Sequence, residues 1–422
     1  MLQISFIRQN TDLVKERLSV KHFDDLLLVD KVVKIDEQVR KLKVESETLQ
    51  ADLNAASKAI GLLMGKGEKE AAEQKKQEVI QHKSTLQQLN DQLNIAEREL
   101  HDSMIKFPNL PHTSVPKGKS PEENEVVKEG GIKPSLPENA LPHWDLIKKY
   151  DLVDFETGTK ITGSGFPLYK GKGAKLQRAL IQYFLDYNTA AGYTEYLPPL
   201  MVNEASAYGT GQLPDKEGQM YHATADGLYL IPTAEVPVTN IYRDEIVKET
   251  ELPIKMTAYT PCFRREAGSF GSDVRGLNRV HQFDKVEIIQ LVHPDTSYDV
   301  LEAMVTHVER LLNHLQLPYR ILRLCGGDMS FTSALTYDFE VFSAAQQKWL
   351  EVSSVSNFET YQTNRMKIRY KNADGKIQLL HSLNGSSLAL PRVVACLLEN
   401  NQTETGINLP KVLHSYFGAP LI

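Results

Sequence analysis

Cysteine is scarce: the 422 residues hold three, Cys262, Cys325 and Cys396. They stand apart, with no CxxC pair and no Cys/His ligand spacing. A disulfide framework and structural zinc are both disfavoured, and small buried apolar side chains are the better reading. Long hydrophobic runs are missing too. No stretch approaches the ~18 apolar residues of a membrane span. The opening MLQISFIRQNTDLVKERL lacks an apolar signal core and carries both Asp and Glu, unlike a transit peptide. A soluble, cytoplasmic protein with no membrane partner is expected. Excess positive charge is also absent, since 48 Lys and Arg face 54 Asp and Glu for a net charge of −6. Nothing global advertises nucleic acid, although a local basic surface is sufficient for binding it. Finally, no proline precedes Pro108, so no proline kink limits the helices in that part of the chain.

What occupies that part is a coiled-coil pattern. Apolar residues fall at Val32, Ile35, Val39, Leu42, Leu49, Leu53, Ala56, Ile60 and Leu63. Their spacing alternates three and four, with Ser46 the one polar residue in the seam. GLLMGKG, Gly61 to Gly67, breaks the helix. A second seam follows at Ala72, Val79, Leu86, Leu89, Leu93, Ala96 and Leu100, with Lys75 and His82 in seam positions near the break. Two long helices joined by a short turn must lie antiparallel, an arm of roughly 50 Å. Its charges nearly balance, and only the end at the turn leans basic, through Lys58, Lys66, Lys69, Lys75, Lys76 and Lys83. From this segment alone, a dimerisation or spacer coiled coil and an RNA-binding arm both stand.

Seven prolines between Pro108 and Pro142, with Gly118, Gly130 and Gly131, mark a connector. The length allows two or three domains, and the divisions fall at 1–107 for the arm, 108–142 for the linker and 143–422 for the rest. In that last part Ala174 to Ala190 reads as a helix ended by Gly192, before an extended GYTEYLPPLM. Thr233, Ala234 and Glu235 fit a helix N-terminus with a first-turn acid.

Met256 to Leu291 is the most informative stretch. Two strand-like runs are joined by a connector punctuated by Gly268, Gly271 and Gly276. Alternate residues of a strand share a face, so Arg264 goes with Glu266 on one run, and Phe283, Lys285 and Glu287 go together on the other. A hairpin would gather two cations, two carboxylates and a ring over one surface; a solvated hairpin could carry the same charges. Further on, Tyr337 to Ser356 gives two extended runs around a polar turn. Glu351 ends an apolar run, where a carboxylate is costly to bury unless paired or metal-bound. Asn384, Gly385 and Ser386 read as a turn, with Arg392 at the start of an amphipathic helix.

FRRE followed by HQFDKVE resembles motif 2 of class II aminoacyl-tRNA synthetases in the form used by seryl-tRNA synthetases of bacterial type. The helix and strand from Lys175 to Met201 are similar to motif 1, and HSLNGSSLALPRVVACLLENNQ to motif 3. The resemblance covers nearly the whole chain. It implies an α+β fold: an N-terminal antiparallel two-helix coiled-coil arm, then a class II catalytic domain built on an antiparallel β-sheet flanked by helices. It implies serine–tRNA ligase activity, forming seryl-adenylate from L-serine and ATP and passing the seryl group to tRNA(Ser), and by family likeness to tRNA(Sec).

The same resemblance implies residue roles. Arg264, Arg392 and Glu351 would be catalytic. ATP would be held by Arg264, Arg265, Glu266, Phe283, Glu351, Val352, Ser353, Ser354 and Arg392, and magnesium by Glu351 and Ser354, with no zinc. Residues 351 and 354 would face opposite sides of a regular strand, so this shared role implies an irregularity there. L-Serine would be held by Thr233, Ala234, Glu235, Arg264, Glu287, Asn384 and Ser386, with GTGQLP, Gly209 to Pro214, bordering its pocket. The arm and acceptor-stem contacts would engage tRNA, and motif 1 would form a homodimer. Departures from the family pattern are NGSS for NGSG, Pro391 for the glycine before the arginine, and Val355, Phe358 and Asn364 where cysteine or arginine is common. A paralogue that activates an amino acid for a carrier protein would normally lack the arm. A coiled-coil interaction protein with a dead nucleotide site would show decayed motif arginines or carboxylates, and these are intact.

Overall fold

The computed structural model describes residues 1–215, 217–266 and 275–422. The connector glycines Gly268 and Gly271 lie outside the described residues. The chain divides into two compact units, Met1–Ser19 with Phe23–Pro108, and Val20–His22 with Asn109–Ile422.

In the first unit two short helices, α1 (Ile4–Gln9) and α2 (Thr11–Val20), precede two long ones, α3 (Leu27–Gly65) and α4 (Lys69–Met104). At 1.5 Å per residue α3 is roughly 58 Å long. Its seam residues Val32, Ile35, Leu42, Ser46, Leu53 and Ala56 are buried, as are Ala72, Val79 and Ala96 of α4. Ser46 does not interrupt the packing, because its hydroxyl donates to Asn90 Oδ1 across the helix pair at 2.7 Å. A buried polar pair of this kind fixes register at some cost in stability. The expected break within Gly61 to Gly67 falls at the far end of that stretch: α3 runs on through Gly61 to Gly65, and the chain reverses at Gly67 with φ of +82°. One glycine inside a helix costs about 1 kcal/mol, too little to stop a helix held by its partner.

The second unit is built on eight strands: β1 (Glu125–Gly130), β2 (Thr194–Tyr196), β3 (Ile254–Phe263), β4 (Gln282–Val292), β5 (Tyr319–Arg323), β6 (Leu335–Ser343), β7 (Lys348–Asn357) and β8 (His381–Ala389). Their order is β1-β5-β6-β7-β8-β4-β3-β2. All pairings are antiparallel except β2 with β3. The proline-rich connector supplies the edge strand β1.

Six helices matter for the site: α5 (His143–Lys149), α6 (Gly171–Ala190), α7 (Glu204–Thr210), α8 (Glu235–Thr239), α9 (Ser297–His314) and α10 (Tyr361–Met366). A seventh, α11 (Leu390–Asn400), follows β8. Strand alternation divides the core. Val286 and Ile288 belong to the large cluster with Leu176, Leu180, Leu301, Val308 and Leu397, from α6, α9 and α11. Ile289 and Leu291 belong to a smaller cluster with Ala234, Val238, Met366 and Tyr370. Phe283, Lys285 and Glu287 share the parity of the smaller cluster, so they look out on the less covered face of β4.

One element was read wrongly from sequence. Asn384, Gly385 and Ser386 are not a turn but the middle of β8, paired with Ile289, Ile288 and Glu287 of β4. Gly385 relieves crowding between strands, since a Cβ there would meet Val355 Cγ2 at 3.0 Å.

Candidate active site

The β3–β4 ladder brings the two runs together in register, with Phe283 opposite Cys262 and Glu287 opposite Ala258. β3 ends at Phe263, and the pairing continues one step further, as Arg264 N–H donates to His281 O at 2.9 Å. Arg264 then turns its guanidinium over the Phe283 ring, 5.2 Å from the centroid, and donates from Nε to Pro232 O at 3.3 Å. Glu266 departs from the expected shared strand face: its φ is +48° and its carboxylate pairs with Arg279 at 2.8 Å. Both Arg264 and Glu266 nevertheless line one cavity of about 610 Å³, within the usual range of small-molecule sites.

At the inner end of that cavity is a buried charged cluster. Lys285 Nζ lies 2.6 Å from Glu287 Oε2 and donates to Thr233 Oγ1 at 2.9 Å, while the Thr233 hydroxyl donates to the same carboxylate at 3.2 Å. Thr233 Oγ1 also accepts from Glu235 N at 3.3 Å, starting α8. Burial, and after it the negative charge of Glu287, raises the Glu235 carboxyl to about 7. Its Oε1 accepts from Gln362 Nε2 at 2.5 Å. Cys262 lies buried behind this cluster with its thiol pushed up by desolvation.

At the other end, β6 and β7 supply a group of side-chain oxygens. The register shifts so that Phe339 opposes Ser353 while Glu340 opposes Glu351, which leaves Val352 as an extra residue. This is the irregularity that a shared role for residues 351 and 354 implies. It lets Ser354 Oγ reach Glu351 Oε1 at 3.4 Å. Asp338 stands opposite Ser354, and its Oδ1 has no hydrogen-bond partner among the described residues. Desolvation, with Glu351 next, holds the Asp338 carboxyl well above its ordinary range. An orphaned buried carboxylate oxygen beside Glu351 and Ser354 is an all-oxygen donor set. That suits a hard divalent cation such as Mg²⁺ and not a thiophilic one.

Arg392 follows Pro391 in the first turn of α11, where proline is tolerated. Its Nη1 donates to Glu351 O at 2.8 Å and its Nε to Asn278 O at 2.9 Å. Asn384 and Ser386 line the cavity from β8, and Val352 and Ser353 from β7; Ser353 Oγ donates to Ser386 O at 2.6 Å.

The cavity thus brings together Thr233, Glu235, Arg264, Glu266, Phe283, Glu287, Glu351, Val352, Ser353, Ser354, Asn384, Ser386 and Arg392. Two expected residues are not in its lining. Ala234 is buried in the smaller apolar cluster, and Arg265 turns toward the Tyr221 ring at 5.8 Å. Each neighbours a lining residue in the chain and points elsewhere. Sequence reasoning missed Gln362 and Arg365, one helical turn apart on α10. Arg365 donates to Tyr208 O at 2.9 Å and Leu213 O at 3.1 Å, tying down the Gly209–Pro214 loop. Their i, i+3 spacing was the available signal.

Comparison with known proteins shows the family. Residues 220–401 match the model of the class II tRNA synthetase core domain (G, H, P, S and T), and residues 1–111 match that of the seryl-tRNA synthetase N-terminal domain. The serine–tRNA ligase of Salinibacter ruber is 49% identical over 420 residues, covering 99% of this chain and 98% of its own. That of Akkermansia muciniphila is 47% identical over 425 residues, covering 100% and 99%. The crystal structure of seryl-tRNA synthetase from Pyrococcus horikoshii complexed with ATP superposes with a TM-score of 0.91 at 31% identity, over 100% of both chains. This chain belongs to the seryl-tRNA synthetase family.

Proposed function

We propose that this chain condenses L-serine with ATP to seryl-adenylate and pyrophosphate, then transfers the seryl group to the 3′ end of tRNA(Ser). The observation that carries the reading is one cavity with two chemically distinct ends. Glu235, Glu287 and Thr233 suit an ammonium and a hydroxyl; Arg264, Arg392 and the Glu351 oxygens suit a nucleoside triphosphate.

The serine carboxylate is already a nucleophile, so its attack on the α-phosphorus requires no side-chain base. The protein's work is positioning and charge neutralisation. Arg264, stacked over Phe283, contacts the α-phosphate or the attacking carboxylate in this reading. Phe283 stacks on adenine and Glu266 accepts from its amino group. Arg392 binds the far phosphates. Glu287, with Thr233, takes the ammonium, and Glu235 the hydroxyl, with Asn384 and Ser386 beside them. Mg²⁺ would be held by Glu351 and Ser354, and when bound it neutralises phosphate charge.

The arm binds the tRNA, with the acceptor stem reaching the cavity. A homodimer is proposed through the motif 1 segment Lys175 to Met201; Leu197, 87% exposed within it, is the kind of surface a second copy would cover. Among the described residues no helix is long and apolar enough to cross a membrane. The test is tRNA charging: purified protein with ATP, Mg²⁺ and tRNA(Ser) should form seryl-tRNA. No aminoacylation under those conditions would overturn the reading.

A further inference from the structure

A second buried cluster lies outside the cavity. It has the residue types of a hydrolase triad, serine, glutamate and histidine, but the wrong arrangement for one. The carboxylate of Glu399 sits in the middle, taking a hydrogen bond from Ser343 Oγ on Oε2 and from His143 Nδ1 on Oε1, the latter at 2.8 Å. Glu399, His143 and Ser343 are all 0% exposed, so no substrate can reach them. The same Oε1 also accepts from His143 N–H at 2.9 Å and Gln346 Nε2 at 2.8 Å. Burial works to raise the Glu399 carboxyl, but hydrogen bonds from His143 and Ser343 outweigh it and bring it below its ordinary value. A carboxylate with this many donors is a rigid hub.

The histidine faces the other way as well. Its Nε2 accepts from Leu277 N–H at 2.9 Å, which assigns the ring proton to Nδ1, the nitrogen that meets Glu399. Leu277 and Asn278 line the cavity. Asn278 is tied twice more: its Nδ2 donates to Gln346 Oε1 at 2.9 Å, and its carbonyl accepts from Arg392 Nε at 2.9 Å. The neighbouring Gly276 belongs to the arrangement, because a Cβ there would stand 2.3 Å from His143 Nε2. Hydrogen bonds therefore run without a gap from Glu399, near the C-terminal end of α11, through His143 and Gln346 to the 277–278 segment, and back to Arg392 in the first turn of the same helix.

We infer that His143 is a positioning residue for ATP: held by Glu399, its Nε2 fixes the Leu277–Asn278 backbone, and the Asn278 carbonyl in turn aims the Arg392 guanidinium at the phosphates. This rests on the phosphate role proposed for Arg392. A histidine that only packs the core would change stability and nothing specific to ATP.

The experiment measures KM for ATP, KM for serine and Tm of the full chain, by serine-dependent ATP–pyrophosphate exchange and thermal unfolding. The variants are His143→Asn, His143→Gln, Gln346→Met, Arg392→Ala and the double His143→Asn/Arg392→Ala. Asn reaches the Nδ1 position and keeps only the Glu399 contact; Gln reaches the Nε2 position and can still accept from Leu277 N–H. His143→Asn should raise KM for ATP about tenfold, a typical loss of one buried hydrogen bond, with KM for serine within about twofold. His143→Gln should recover most of that, and Gln346→Met should give a smaller rise of the same kind. In the double variant the histidine change should add nothing to Arg392→Ala, because the two act through one contact. The inference is overturned if both KM values move together, if Gln is no better than Asn, or if the two changes are additive. Should His143→Asn fail to fold, Gln346→Met alone decides: an unchanged KM for ATP sinks the inference. An Arg392→Ala variant with normal KM for ATP would instead remove the role assigned to Arg392.

Discussion

Gln362 on α10 donates to Glu235 Oε1 at 2.5 Å and to Thr210 O at 3.1 Å, and accepts from Ser382 Oγ at 2.7 Å. Its whole amide is committed, so it holds one oxygen of the Glu235 carboxylate and leaves the other for a ligand. Glu235 is otherwise faced by Glu287 and Lys285 from β4 and by Arg264 at the end of β3. A carboxylate raised to about 7 by burial is costly to keep ionised, and the Gln362 hydrogen bond lowers that cost.

A pH dependence follows, with its sign. The folded state holds the Glu235 proton more tightly than the unfolded chain, so its contribution to stability is fully present below the ordinary carboxylate range and is lost as pH rises through about 7. Glu235→Gln should therefore raise Tm at pH 8, by a few kcal/mol at most in free energy, and change it little near pH 4.5. Serine-dependent kcat/KM of the unaltered protein should fall as pH drops through about 7, and Gln362→Met should move that limb to higher pH. A Tm difference independent of pH would contradict the assignment.

Glu287 has a structural and a functional part, which two variants separate. Glu287→Ala leaves the Lys285 ammonium, 5% exposed, without its carboxylate, a loss that typically costs about 3–5 kcal/mol. The paired change Lys285→Met/Glu287→Leu should restore most of the Tm lost by Glu287→Ala. It should not restore serine-dependent exchange. Exchange within a few-fold of wild type in either variant would take Glu287 out of the site.

The oxygen cluster on β6 and β7 predicts dependence on Mg²⁺. Chelation with EDTA should abolish exchange, and added Mg²⁺ should restore it. Glu351→Gln should raise the Mg²⁺ concentration for half-maximal exchange by about tenfold or more, one charged ligand being lost. Active protein carrying stoichiometric zinc would be the contrary finding.

The arm's seam closes on itself between α3 and α4, which makes its role separable. Excising Lys34 to Glu99 with a short turn in their place should leave serine-dependent exchange within about tenfold, because each unit carries its own core. Charging of tRNA should fall much further and lose part of its salt dependence as phosphate contacts disappear. Unchanged charging would show that the arm is a spacer.

Much of this was legible in the sequence, for physical reasons. The arm follows from an alternating three-four spacing that only a partner helix can bury. The β3–β4 hairpin follows from alternation, and the irregularity at Val352 from the shared role that the family resemblance gives Glu351 and Ser354. What was not legible depended on neighbours remote in sequence. Asn384 to Ser386 read as a turn because small polar residues favour turns, whereas Gly385 in fact relieves crowding against Val355 on the neighbouring strand. Arg265 and Ala234 adjoin site residues along the chain but face away from the cavity. His143 acts through residues more than a hundred positions distant, so no local pattern announces it, and the i, i+3 spacing of Gln362 and Arg365 does not disclose that Gln362 meets Glu235.

The most direct measurement is ATP–pyrophosphate exchange assayed across the twenty amino acids. The two carboxylates and Thr233 at the inner end of the cavity predict that serine supports exchange strongly. Alanine, which leaves the groups around the missing hydroxyl unpaired, should be rejected by about 10⁴-fold or more in kcat/KM. Threonine and glycine should also fall far below serine. Strong exchange with another amino acid, or none with serine in the presence of Mg²⁺, would contradict the account.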